Sequence, residues 1–120
     1  MIRVVTQNPG VGVKPQVQEI EHSLSAMQKL VTPEHMTSGC IELVYMPELA
    51  DEHKIDMYVN EEGKFNGCKA NFPIFGGRDI AFGPVFFSTA DDEGETVSLS
   101  DEQVKVVLAF LDKTPRVLVL

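Results

Sequence analysis

The run "SLSDEQVKVVLAFLDKTP" constrains the fold most, because it fixes both the start of a helix and the face that helix must bury. Ser100 is a fitting N-cap, and Gln103, three residues on, completes a capping box. Asp101 and Glu102 favour the positive end of a helix. Val104, Val107, Leu108 and Leu111 follow at i, i+3, i+4 and i+7, which puts them in one stripe. Pro115 stops the pattern. A helix with a single apolar stripe has to lie against another element, and most of the remaining chain reads as strands.

The spacing predicts a strand over Ile2 to Thr6, then a break at Asn8-Pro9-Gly10. A second amphipathic helix is expected from Pro15, with Val17, Ile20, Leu24, Met27 and Val31 in its stripe. "TPEHMTSG" is a loop, "CIELVYM" a strand and "PELADEHK" a polar connection. "IDMYVN" alternates Ile55, Met57 and Val59 against Asp56, Tyr58 and Asn60, the pattern of a half-buried strand. A short extended segment follows around Phe65 to Ala70, and "NFPIFGGR" is irregular. "DIAFGPVFFST" is strand-like, but Gly83-Pro84 makes it an edge, a bulge or a bend. "ADDEGETV" is a turn, and "RVLVL" closes the chain as a strand that pairs inside the sheet or, as the less favoured reading, with a second copy. Strands cluster in the middle and helices are segregated. The expected class is α+β: a mixed, mostly antiparallel sheet with two amphipathic helices packed on it, forming one domain over residues 1–120.

Composition narrows the function. With 43% hydrophobic residues in 120, the chain can bury one core. No apolar run approaches the roughly 20 residues of a membrane span. "MIRVVTQNPG" is too short for a signal-peptide core, so a cytoplasmic protein with no membrane partner is expected. Residues 1–47 carry three basic and four acidic residues, and residues 48–120 carry seven basic and fourteen acidic. That balance, within a formal net charge of −8, disfavours direct nucleic-acid binding and suits a basic protein partner or plain solubility. Cys40 and Cys68 are too few for a disulfide framework; two buried reduced thiols are favoured over a bridge.

Sites are sparse. In "VNEEGK", Asn60 can accept backbone N–H bonds at a turn, and Gly63 can take positive φ in a hairpin connection. "DDEGE" is built alike. Together they offer Asn60, Glu61, Glu62, Asp91, Asp92, Glu93 and Glu95 as oxygen ligands, but without the spacing of a calcium loop. His22, His35 and His53 form no zinc motif, so no metal and no other cofactor is expected. Nucleophile motifs are absent, and no catalytic residue is assigned. Gly76-Gly77-Arg78 can shape an anion nest, and Asn71 either braces its loop or faces a pocket. The candidate ligand-binding residues are therefore Asn60, Glu61, Glu62, Asn71 and Arg78.

The order of these motifs resembles a known family. A strand ending in "VNEEGK", an Asn in "KANFP", then "FGPVFF", then "DDEGETVSLSDEQ" before a helix is similar to domain of unknown function 3846, met in bacterial genomes, phages and plasmids. The resemblance runs from about Cys40 to Leu111 and marks Asn60, Glu62, Gly63, Asn71, Gly83, Pro84 and Gly94 as pattern positions. The "TPEHMTSG" loop and the "VGVKPQ" stretch depart from it. It implies an accessory gene of mobile elements and no established activity. The favoured expectation is a non-catalytic accessory domain that binds a protein or a small molecule. One alternative is an acidic phage or plasmid inhibitor of a host nucleic-acid-binding protein. Another is a small enzyme with a carboxylate and Asn site around Asn60, Glu61 or Glu62, and Asn71, with His53 as acid or base.

Overall fold

The computed structural model describes residues 1–37 and 39–117. Its first strand, β1 (Ile2–Gln7), lies where the β-branched run predicts it. The second element corrects the sequence reading. Gln16–Ile20 is a strand, β2, paired antiparallel with β1 through Val5↔Val17 and Ile2↔Ile20. The helical stripe does not survive the period of two: Val17 and Ile20 fall on opposite faces of the sheet, Val17 exposed and Ile20 buried, while Gln18 shares the Ile20 face and donates to the Thr6 hydroxyl at 2.9 Å. Helix α1 (Leu24–Leu30) starts only after Ser23, whose hydroxyl accepts from the Ala26 N–H.

Strand β3 (Ile41–Val44) leads into a helix read from the sequence as a connection, α2 (Pro47–His53). Its signals are Pro47 in the first turn, Glu48 near the positive end and the left-handed Lys54 at the C-cap. Strand β4 (Ile55–Asn60) follows, then a hairpin of β5 (Ala70–Ile74) and β6 (Asp79–Phe82) around a short 3₁₀ turn at Phe75–Gly77. Strand β7 (Val85–Ala90), the two-residue β8 (Thr96–Val97) and helix α3 (Asp101–Lys113) complete the order. The capping box is present as read: the Gln103 N–H donates to Ser100 Oγ at 3.1 Å, and the Ser100 N–H to Gln103 Oε1 at 2.9 Å. Of "RVLVL", residues 118–120 lie outside the described residues; the Val117 N–H donates to the Asn71 carbonyl at 3.0 Å.

The fold is α+β; among the described residues there are three helices, and every strand pairs antiparallel, so the sheet is not the mixed one expected. The main sheet runs β2-β1-β7-β4-β3, with β8 on β7, and β5 and β6 form a second sheet. Gly83-Pro84 is the corner between the two. Gly83 takes φ +80°, and Pro84, which has no N–H to place in a ladder, begins the step from β6 into β7. Central β7 is buried on both faces. Its Phe87 packs with Val5, Met57, Phe72, Val107 and Leu111 under α2, α3 and the hairpin. Phe86 packs with Val4, Met27 and Val31 under α1, and stacks on Tyr58 with centroids 5.0 Å apart. The second face of "IDMYVN" is partly covered, with Asp56 and Tyr58 half-buried and Asn60 buried.

Candidate functional site

The β5–β6 hairpin lies over β4, where β6 packs against it, and stops short of edge strand β3. Between them runs a groove of about 690 Å³. Glu42, Val44 and Val59 line the sheet side, Ile74, Ile80 and Phe82 the hairpin side, and Lys64 and Phe65 of the following turn one end. Three apolar side chains around it face water: Tyr45 is 56% exposed, Phe65 88% and Phe75 40%, while Leu43, 54% exposed on the same edge, alternates with Glu42 and Val44 and so turns to the other face of the sheet. Single exposed apolar residues are ordinary on a surface, but three around one groove form a patch of the kind that marks a binding surface.

The electrostatics of the groove follow from one ion pair. Lys64 Nζ donates to Asp79 Oδ1, and the Ile80 N–H donates to the same oxygen at 2.8 Å. The Lys64 hydrogen bond, with the Ile80 N–H behind it, holds the Asp79 carboxyl below its ordinary range. The pair cancels, which leaves Glu42 and Glu61 as the unpaired charges of the lining among the described residues. At the rim, the Tyr45 hydroxyl donates to Asp51; that bond, helped by the carboxylate's charge, pushes the phenol up from its usual value. Among the described residues, no histidine, cysteine or serine lines the groove, and no group of three side chains is able to hold a metal ion. The arrangement can bind apolar and cationic groups.

The five candidate residues separate. Asn60 ends β4 at the groove but turns its amide to the α1 side, donating to the Val31 carbonyl at 3.0 Å and accepting the Glu62 N–H at 2.9 Å. Glu61 is exposed and lines the groove. Glu62, also exposed, accepts from Asn66 Nδ2 at 2.7 Å. Asn71 is fully buried away from the groove, and its Nδ2 donates to the Gln7 and Gly83 carbonyls, each at 2.9 Å. Arg78 is exposed on the 3₁₀ turn, where its Nε donates to the Phe75 carbonyl at 3.2 Å. The structure therefore brings Asn60 and Glu61 together at the groove, keeps Glu62 on the adjoining turn, and sets Asn71 and Arg78 apart.

The two acidic turns also differ. "DDEGE" is the hairpin, joining β7 to β8 with Gly94 at φ +84° and Asp91 Oδ1 accepting the Glu93 and Glu95 N–H groups. "VNEEGK" is no hairpin, since β4 and β5 belong to different sheets. Gly63 serves there by closeness rather than by positive φ: an added Cβ would lie 2.9 Å from the Phe82 carbonyl oxygen. Both cysteines are free, but Cys40 is exposed where burial was expected. Cys68 is buried, its Sγ donates to Met36 Sδ at 3.7 Å, and burial pushes its thiol up. The groove residues that sequence reading passed over are Glu42, Leu43, Tyr45 and Phe65. Phe65 alone carried a signal, an aromatic side chain inside a Gly- and Asn-rich turn.

A family model described as a domain of unknown function (DUF3846) matches residues 2–113. The chain belongs to that family. The match includes the groove and reaches back through β1, β2 and α1, beyond the stretch that carried the motif resemblance. No curated protein and no solved structure matches the chain. No helix of the described residues is long and apolar enough to cross a membrane.

Proposed function

We propose that this DUF3846 domain is a non-catalytic binding module whose groove beside β3 receives apolar side chains of a partner protein. The observation that carries the reading is the convergence of Tyr45, Phe65 and Phe75 on one groove beside an open strand edge. Asn60 and Asn71 spend their amide hydrogens on backbone carbonyls, which favours a supporting role for them over direct ligand contact. The motif resemblance adds an accessory role in bacteria or their mobile elements. The test is a photo-crosslinking side chain at Phe65, compared in cells with one at Val11, which is exposed elsewhere. A discrete adduct formed from position 65 alone, and abolished by Phe75→Asp, supports the module. Equal labelling from both positions, or an adduct unchanged by Phe75→Asp, refutes it.

A second reading rests on charge. Gln103 Nε2 donates to both the His53 carbonyl and Thr89 Oγ1, which ties the start of α3 to the end of α2 and to the end of β7. The acidic residues of α2, of the Asp91–Glu95 turn and of the first turn of α3 therefore adjoin at one end of the sheet, where Arg3 pairs with Asp101 and leaves the others to set the charge. Such an end suits a basic surface, as an inhibitor of a nucleic-acid-binding protein would require. Association that is insensitive to salt, or unaffected by Asp91→Lys with Asp92→Lys, excludes that role.

A further inference from the structure

Deepening the binding-module reading, on which it rests, we infer that the groove takes its partner as an added β-strand: an extended segment, apolar at alternate positions and carrying Lys or Arg, laid along the open edge of β3.

The register shows which backbone groups wait for a partner. Ile41 stands opposite Asn60 in the β3–β4 ladder, so Cys40 stands opposite Glu61, and the Glu61 N–H donates to the Cys40 carbonyl at 2.9 Å. Hydrogen-bonded pairs alternate along an antiparallel ladder. Glu42 and Val44 therefore turn their N–H and C=O groups toward β4, while Ile41 and Leu43 turn theirs outward. Among the described residues nothing pairs with that edge, because β3 ends the strand order. Folded proteins blunt such edges with proline, charged side chains, shortness or a bulge. This edge, Ile-Glu-Leu-Val, is four residues long in regular register without proline, lysine or a bulge; its one charged guard is the Glu42 carboxylate, which turns away acidic or uncharged strands and admits a cationic one.

Among the described residues the other edge of the main sheet, β2, also lacks a partner, but the groove and its apolar rim adjoin β3. Side chains of an added strand alternate between the two faces of the sheet. Those on the groove side would meet the hairpin wall at Phe75 and Ile80, and backbone bonding would supply affinity largely independent of sequence.

Charge selects the occupant. With Lys64 paired to Asp79, the lining presents Glu42 and Glu61, so a segment with Lys or Arg is attracted and an acidic one repelled. A second copy of this chain is disfavoured on the same ground. Its formal net charge is −8, and β3 paired with β3 brings a second Glu42 to the same face.

The test is selection from a phage-displayed library of random octapeptides on the immobilised full chain. Amide chemical shifts and hydrogen exchange are then measured with the enriched peptide. The expected sequences alternate apolar residues with Lys or Arg, and the expected response is slowed exchange at the Ile41 and Leu43 amides. Leu43→Pro removes an outward N–H without removing a bond to β4, and should weaken binding roughly tenfold or more. Glu42→Lys should weaken it similarly and shift the selected sequences toward acidic residues. A selection that enriches nothing, peptides that move only the Asp91–Glu95 turn, or equal binding to Leu43→Pro and Glu42→Lys each overturn the inference. So does dimerisation through β3. Peptides that shift Phe65 and Phe75 without protecting β3 overturn strand addition alone and leave the binding module standing, and the crosslink at position 65 reports on that module separately.

Discussion

Asn71→Ala offers the sharpest check on the assignment of Asn71 as a strut. Its Nδ2 donates to two backbone carbonyls, Gln7 at the end of β1 and Gly83 at the sheet corner, and the residue is fully buried. Truncation leaves two buried acceptors unpaired, at about 1–3 kcal/mol each. The same change removes Asn71 Oδ1, a buried acceptor with no partner among the described residues, and so returns about 1–3 kcal/mol. The expected net loss is about 2–3 kcal/mol, roughly 30- to 140-fold in the folding equilibrium constant. Urea unfolding at neutral pH measures it. Asn71→Asp separates hydrogen bonding from mere volume. Protonated, the new carboxyl can still donate to one carbonyl; ionised, it faces two of them in a buried site. Its folded pKa is therefore raised, so its deficit against wild type should be small at acid pH and grow as pH rises above the ordinary carboxylate range, about 4. A loss under about 0.5 kcal/mol for Asn71→Ala, within the scatter of surface substitutions, would refute the reasoning. So would an Asn71→Asp deficit that is flat with pH.

Four further outcomes are expected. Asp56 lies on β4, and burial raises its carboxyl above the usual value, so its ionisation opposes folding: stability is greatest below the unfolded pKa and falls as pH rises through the folded one. Asp56→Asn should therefore raise the melting temperature at pH 7 and leave it unchanged near pH 3; a gain of equal size at both pH values refutes this. Gly63→Ala should cost about 1–3 kcal/mol, because the Phe82 carbonyl is backbone and must shift, whereas Gly94→Ala should be strained by its positive φ without a clash; chemical denaturation compares them. Lys64→Ala should move the Asp79 carboxyl back up toward its ordinary value in a carbon-detected NMR titration, and an unmoved Asp79 excludes the ion pair. A thiol reagent should modify Cys40 promptly in the native protein and Cys68 only on unfolding; two fast thiols contradict the burial of Cys68.

What the sequence revealed and what it hid have physical reasons. The α3 capping box was legible because both partners are three residues apart and act locally. The Gly83-Pro84 break was legible as a break, yet only the tertiary pairing shows that it separates two sheets. Residues 16–20 misled because Val17 and Ile20 satisfy a helical stripe, while their strand partner Ile2–Thr6 lies more than ten residues away. Helix α2 was passed over because its buried face is one residue wide, Leu49, among Glu48, Asp51 and Glu52. At the groove, Asn60 and Glu61 were found through turn chemistry, whereas Leu43 and Tyr45 looked like ordinary strand residues. Which strand ends a sheet is decided by long-range pairing, and no short pattern in "CIELVYM" encodes it.

That edge stays open because of how the hairpin is held. Asn71 ties β5 to the Gln7 carbonyl at the end of β1, and Phe72 anchors the same strand in the core beside Phe87. Both attachments lie on the β1–β7 side of the sheet, three and two strands away from β3. The Lys64–Asp79 pair then joins the turn after β4 to the far strand of the hairpin, closing one end of the groove. A hairpin fixed at these points reaches over β4 and no further. The groove is thus a consequence of core packing and exists before any partner arrives, so binding there requires little ordering of its walls. Asn71, read from the sequence as a ligand residue, acts on the groove at a distance: it sets where the wall stands. Weakening it should loosen the hairpin and lower groove affinity through that movement, whereas Leu43→Pro should lower affinity with the hairpin unmoved. Hydrogen exchange at the Ile80 and Ala81 amides distinguishes the two, rising in Asn71→Ala and unchanged in Leu43→Pro.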